Sequence, residues 1–83
     1  MQPNTNIESA IKSFILEAFL PGANASEISD NADLVAGHIV DSINVLRLVE
    51  FMEENFEITV EHDELRKLTS IANIAEVIRG KLN

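Results

Sequence analysis

The sequence lacks cysteine, tryptophan and tyrosine, and it contains only three glycines and two prolines in 83 residues. Without cysteine the chain can form neither a disulfide nor a thiolate metal site, so apolar packing must supply its stability. No apolar run reaches the roughly 20 residues that a membrane-spanning helix needs, and the first residues lack the basic start and apolar block of a signal peptide. We therefore expect no membrane insertion and a cytoplasmic location.

Basic residues are also scarce, since six Lys and Arg stand against 14 Asp and Glu, for a formal net charge of −8. Such a surface repels nucleic acid and attracts basic protein surfaces. The composition, 46% hydrophobic and 24% charged, is typical of a globular chain. We expect one small domain spanning residues 1–83, with a modest core and no deep catalytic cleft.

The spacing of apolar residues predicts four helices, at about residues 5–20, 42–55, 62–67 and 70–81. Thr5-Asn6-Ile7-Glu8 fits a capping box for the first helix, and Pro21-Gly22 ends it. Ser70 is placed to cap the last helix. The alternating residues 57–61 are interpreted as a loop, because a single strand would have no partner. The core face of the second helix comprises Val45, Leu48, Val49, Met52 and Phe56.

Residues 21–41 form a long connection, of a length that is often functional in compact domains. Its apolar residues need burial, which predicts that the connection is pinned to the core by Ile28, Leu34, Val35, Ile39 and Val40. Asp41 ends the connection and is a strong N-cap candidate, because its carboxylate can accept from first-turn backbone N–H groups. Ser42 then lies at the mouth of a helix, where free N–H groups and the helix dipole favour an anion such as a phosphoester.

The chain supplies no evident machinery to modify Ser42, so we interpret this serine as a residue on which another enzyme acts. A hydrolase would need His38 as a base, and nothing in the sequence marks an oxyanion hole. His38 is better interpreted as a loop residue, and His62 as the start of the third helix.

Ile43 lies off the core face of the second helix and is expected to be a partly exposed contact residue. For Phe51, packing against a loop or the first helix and exposure as a contact residue are both open.

Eight of the acidic residues fall between positions 41 and 64, with Arg47 as the sole base among them. Hard cations bind carboxylates, but the spacing matches no EF-hand loop, so we expect no dedicated metal site and at most weak cation binding. A solvated face and a surface for docking partners are both compatible with this run. The acidic residues are Asp41, Glu50, Glu53, Glu54, Glu57, Glu61, Asp63 and Glu64.

Asp41-Ser42-Ile43 and the helix that follows resemble the Asp-Ser-Leu signature of acyl carrier proteins. The match runs without gaps over about residues 30–80 and extends to the apolar and acidic positions on both sides of the signature. It includes Leu34, Glu53-Glu54-x-Phe56, Val60 and Thr69-Ser70-Ile71. The resemblance implies an all-α four-helix bundle with a long loop between the first two helices and a short third helix.

The resemblance also implies a covalent cofactor. In this family a separate phosphopantetheinyl transferase moves 4′-phosphopantetheine from coenzyme A to the serine, here Ser42, using Mg²⁺, and Asp41 belongs to the motif that the transferase recognises. The thiol of the arm then holds an acyl or aminoacyl group as a thioester, so the expected role is that of a carrier and not of an enzyme.

Further site residues follow from the same resemblance. The positions that meet partner enzymes in relatives are occupied here by Ile43, Arg47, Glu50, Glu53 and Glu54. A pocket between the helices is expected to be lined by Leu46, Val49, Phe56, Val60 and Ile71.

The segment Gly37-His38-Ile39-Val40-Asp41-Ser42 looks more like the Gly-x-Ile-x-Asp-Ser type of free-standing carriers that work with acyl- or aminoacyl-AMP ligases, including D-alanyl carriers. Arg47 and Glu50 replace the Glu and the apolar residue usual in fatty-acid-synthesis carriers, and such changes can exclude a wrong partner. We therefore expect a monomeric carrier of a specialised pathway, which meets a transferase, an AMP ligase and pathway enzymes with basic docking patches. The alternatives are an unmodified helical interaction module and a D-alanyl or peptidyl carrier. The cargo and the pathway stay open.

Overall fold

The computed structural model describes residues 7–24 and 27–82. They form helix α1 (Ile7–Phe19), helix α2 (Asn44–Phe56), the short 3-10 helix η1 (His62–Lys67) and helix α3 (Ile71–Leu82). The described residues contain no strand, and residues 57–61 form a loop, so the expected fold class is confirmed. Of the proposed capping box, Thr5 and Asn6 lie outside the described residues. No helix within the described ranges is long and apolar enough to cross a bilayer.

The core lies where one apolar stripe from each long helix meets the others. Helix α1 packs more extensively on α3 than on α2. Full burial of a large aliphatic side chain in this core stabilises the fold by about 1.5–3 kcal/mol. The expected core face of α2 is confirmed, because two of its five residues are fully buried and the other three pack partly buried against the core. The buried helical residues are Ile7, Ile11, Ile15, Leu48, Met52, Ile71, Ile74, Ala75 and Ile78.

The connection between α1 and α2 is tied to the start of α3 by backbone hydrogen bonds. The Leu34 N–H donates to the Thr69 carbonyl at 2.7 Å, and the Ala72 N–H donates to the Asp30 carbonyl at 2.9 Å. Ile28, Leu34 and Val40 are buried and Ile39 is partly buried, as expected. These anchors fix the direction from which the chain enters α2.

Val35 is the exception in this connection, because its side chain is 49% exposed. The Asp33 carboxylate accepts from the N–H groups of Val35 and Ala36, both at 3.0 Å, and this tight turn directs Leu34 inward and leaves Val35 outside. The expectation that Val35 is buried was therefore wrong.

The helix ends use distinct local devices. Gly22, with φ +93°, follows α1, whereas α2 ends at Glu57 in the left-handed region with φ 54°. The Ser70 hydroxyl accepts from the Asn73 N–H at 3.1 Å and caps α3, as predicted. Arg79 of α3 donates to both carboxylate oxygens of Glu8 at 2.6 and 2.7 Å, which joins the start of α1 to the end of α3.

Candidate functional site

Asp41 organises the turn that opens α2. Its Oδ1 accepts from the Ile43 N–H at 2.9 Å and from the Asn44 N–H at 2.7 Å. Its carbonyl accepts from the Val45 N–H at 2.9 Å. These contacts make Asp41 the capping side chain, while regular helical backbone begins at Asn44. Ser42 is the first residue inside the capped turn, and it is exposed.

The N–H groups expected to be free at this helix start are occupied. Ile43, Asn44 and Val45 donate to Asp41, and the Leu46 N–H donates to the Ile43 carbonyl at 3.1 Å. The expectation of a ready-made anion site was wrong for these four groups, because the neighbouring carboxylate and the first helical bonds already satisfy them. The anion bound here is Asp41 itself. Hydrogen bonds from Asn44 and then Ile43 hold the pKa of Asp41 below its ordinary value.

An open groove of about 270 Å³ adjoins Ser42. We call it the Ser42 groove. It lies between the α2 start, the long connection and η1, and its lining is largely aliphatic, with Asp41 and Ser42 at the α2 end and Arg66 on the η1 side. Ser42 is the only hydroxyl-bearing residue of the lining. The lining residues are Val35, Val40, Asp41, Ser42, Val45, Leu65, Arg66 and Leu68.

Sequence reasoning missed most of this lining. The pocket residues expected from the resemblance do not line the Ser42 groove. Ile71 is fully buried, and Val49, Phe56 and Val60 are partly buried against the core. Leu46 is 60% exposed, so its placement inside a pocket was wrong. Leu46 lies one helical turn from Ile43 on the outer side of α2, and that spacing could have signalled a shared exposed surface.

The residues expected to meet partners fall on the outer side of α2, with one difference among them. Ile43 is 71% exposed, and Arg47, Glu50 and Glu54 are exposed. Glu53 is half-buried, because its Oε2 accepts from the Val60 N–H at 2.9 Å and thereby holds the loop that follows α2. This side chain therefore has a structural contact that the sequence pattern did not indicate.

Phe51 packs against the first helix. Its ring stacks on Phe14 of α1 with centroids 4.3 Å apart and planes 16° apart. Of the two interpretations left open for Phe51, packing is therefore the one observed.

The histidines offer no visible catalytic pairing. His38 is exposed, with φ 62°, and no hydrogen bond joins it to Ser42 in the described part of the chain. His62 is the first residue of η1, as expected. Within residues 7–24 and 27–82, no three His, Asp or Glu side chains gather in a way that could hold a metal ion.

Comparison of the sequence with known proteins shows the family to which this chain belongs. The family described as "Phosphopantetheine attachment site" matches residues 18–78. The acyl carrier protein of Desulforapulum autotrophicum is 30% identical over 76 residues, which cover 92% of this chain and 97% of that protein. This chain belongs to the acyl carrier protein family. The acyl carrier protein of Akkermansia muciniphila is 29% identical over 75 residues, or 90% of this chain and 91% of the relative.

A third relative has a different size. Clavatol synthase claF of Penicillium crustosum is 36% identical over 63 residues, which make up 76% of this chain and 2% of that protein.

The cofactor of acyl carrier proteins is covalently attached 4′-phosphopantetheine, and the Ser42 groove fits such a group. It offers one exposed hydroxyl for a phosphodiester, one guanidinium to match the negative charge, and aliphatic walls for the arm.

Proposed function

We propose that Ser42 carries 4′-phosphopantetheine and that this protein transports an acyl or aminoacyl group as a thioester on the thiol of the arm. The observation that most supports this proposal is the position of Ser42, an exposed hydroxyl-bearing residue at the border of an aliphatic groove, in a turn held by Asp41. Attachment joins the Ser42 Oγ to the phosphorus, the hydroxyl proton leaves, and the nucleotide part of coenzyme A departs. The bound arm supplies the thiol that the chain, which has no cysteine, does not contain.

The residues around Ser42 expose this serine to another enzyme and do not form a catalytic site of their own. Asp41 holds the turn in which Ser42 is exposed to an incoming transferase, and Arg66 is the cationic residue of the groove. An oxyanion hole needs free donors, whereas the N–H groups of residues 43–46 are bonded. We therefore assign the chain as a carrier that is not itself an enzyme.

The partners we propose are a phosphopantetheinyl transferase, an acyl- or aminoacyl-AMP ligase and pathway enzymes with basic docking patches. Ile43, Leu46 and Glu50 form the apolar and acidic part of the docking surface on α2, with Glu54 beyond them. We further propose a monomer that acts in the cytoplasm, without nucleic acid or membrane partners. The formal charge of −8 supports this choice of partners.

A specialised pathway is proposed over housekeeping fatty-acid synthesis. Arg47 is exposed and interrupts the acidic outer side of α2, and its guanidinium lies 5.8 Å from the centre of the Phe19 ring. A partner that presents only basic side chains would meet like charge at this position. The partner we expect has an acidic residue opposite Arg47 among its basic ones.

Incubation with coenzyme A, Mg²⁺ and a broad-specificity transferase, followed by intact-protein mass spectrometry, tests the proposal. The wild type should gain the mass of one phosphopantetheinyl group, and Ser42→Ala should gain none while it keeps the wild-type circular dichroism. Ser9→Ala is the matched control, since Ser9 is an exposed serine of α1, and it should load fully. An unmodified wild type, or a Ser42→Ala variant that still loads, would refute the assignment. The first result would leave the unmodified interaction module as the better description.

A further inference from the structure

A second groove lies on the surface between α1 and α2, and no residue of its lining belongs to the Ser42 groove. We call it the seam groove. It is open and has a volume of about 410 Å³. Both helices contribute to it, with an aromatic floor and a polar border. Its lining includes Ser13, Phe14 and Glu17 of α1 and Phe51, Asn55 and Phe56 of α2.

The floor of the seam groove belongs to a single series of aromatic rings that contains every phenylalanine of the chain. Phe19 meets Phe14 edge to face with centroids 5.5 Å apart, Phe14 stacks on Phe51, and Phe51 meets Phe56 edge to face at 6.1 Å. All four side chains are only partly buried. A fully closed core would bury these rings, so the series leaves aromatic surface accessible along the groove.

The border of the seam groove carries negative charge. Glu17 borders the main groove, and Glu50, Glu54 and one cation, Arg47, border an adjoining recess of about 170 Å³ that shares Phe14, Phe51 and Asn55 with it. Carboxylates therefore outnumber the cation along this border. These three carboxylates are exposed and enter no ion pair within the described ranges. Carboxylates around aromatic faces suit a side chain that is cationic at its tip and apolar along its stem.

The chain itself illustrates this recognition. The Arg47 guanidinium, in the same recess, lies 5.8 Å from the centre of the Phe19 ring, at one end of the aromatic series. A guanidinium over an aromatic face is held by the ring quadrupole. Phe14, Phe51 and Phe56 line the groove beyond this contact, and their partly exposed rings are the aromatic surface that remains for a partner side chain.

We infer that the seam groove docks a segment of a partner enzyme that presents an apolar anchor flanked by Lys or Arg. This inference rests on the proposed carrier function, since the partner is a pathway enzyme that uses the loaded carrier and not the transferase that attaches the arm. A second copy of the chain is disfavoured, because two surfaces of net charge −8 repel each other. The anionic arm is disfavoured as the occupant for the same reason, and its groove is a separate one.

The test uses a designed peptide of about four helical turns, with Leu and Phe on one face and Lys on the flanks. A scrambled peptide of the same composition is the control for charge alone. Two-dimensional amide NMR spectra of the full chain, recorded at physiological ionic strength, map the binding site. We expect the amphipathic peptide to shift the resonances of Ser13, Phe14, Phe51 and Asn55, and the scrambled peptide to leave them in place.

Two pairs of variants separate charge from shape. Glu17→Lys should weaken peptide binding about three- to tenfold, whereas Glu27→Lys, the same change at an exposed residue outside the groove, should not. Ser13→Trp should fill the groove and remove binding, whereas Ser9→Trp on the same helix should preserve it. Circular dichroism checks that each variant is folded.

Other occupants would give different results. Equal responses to both peptides, shifts confined to the Ser42 groove, or equal losses in Glu17→Lys and Glu27→Lys would overturn the inference. A dimer whose interface maps to the seam, or seam shifts caused by loading an acyl chain, would also overturn it. Transferase loading of Glu27→Lys, which changes the same charge outside the seam groove, should match that of the wild type. A wild type that loads but does not bind the peptide refutes this inference alone, and a wild type that cannot be loaded refutes the proposed function.

Discussion

Phe51 is the side chain whose removal should most clearly report the contact between α1 and α2. Replacing a fully buried Phe by Ala costs about 3–5 kcal/mol. Because Phe51 is only partly buried, we expect Phe51→Ala to lower the free energy of unfolding by about half of that, or ~2 kcal/mol. For a domain of this size, such a loss corresponds to a decrease in Tm of roughly 8–16 °C.

The assay is urea and thermal unfolding followed by far-ultraviolet circular dichroism, since the chain has neither Trp nor Tyr for fluorescence. The stacked geometry, with centroids 4.3 Å apart, also predicts a coupling free energy of about 0.5–1.5 kcal/mol in a Phe14→Leu, Phe51→Leu double-mutant cycle. Loading of Ser42 should persist in every folded variant. A Phe51→Ala free energy within about 0.5 kcal/mol of the wild type, or a coupling of zero, would contradict the packing described.

Two further predictions concern backbone strain and pH. Glu57 ends α2 with φ 54°, so Glu57→Gly should raise the free energy of unfolding by about 0.5–1 kcal/mol, and Glu57→Ala should bring no such gain in thermal unfolding. The hydrogen bond from Arg79 holds the pKa of Glu8 below its ordinary value of 4.5. The resulting stability is fully present above that value and is lost as pH falls through the lowered pKa of the folded state, so Glu8→Gln should flatten the acid side of the stability profile. An acid limb of unchanged slope in Glu8→Gln would contradict this assignment.

The helices and their inward faces could be predicted because helical periodicity places apolar residues directly. The helical spacing of the apolar residues in α2 identified Leu48 and Met52 as core, and both are fully buried. The Ser70 cap was equally visible, because it depends on contacts three residues away in sequence. Features that depend on contacts between residues close in the chain can therefore be predicted from one sequence without an alignment.

The composition of the Ser42 groove could not be predicted, because it depends on how the long connection and η1 fold onto the start of α2. Val35 lines the groove only because the Asp33 turn reverses its direction, and Arg66 reaches it from η1. The left-handed residue of the segment preceding Asp41 is His38 and not its glycine neighbour Gly37. The hydrogen bonds that form the turns within residues 33–40 are local, but residue type alone does not specify which of several possible turns they form.

The capped turn at Ser42 gives a physical reason for how a modified serine would behave. The partial positive charge of a helix start is equivalent to roughly half an elementary charge, and the ionised Asp41 carboxylate already uses it through two hydrogen bonds. A phosphodiester on Ser42 would therefore find no free donor among the N–H groups of residues 43–46, and Arg66 is the only basic residue of the groove. Because the head of such an arm would be held weakly, its retention in the groove would come mainly from the aliphatic walls. A carrier benefits from this balance, since a partner enzyme that offers a basic surface can draw the arm out at little cost.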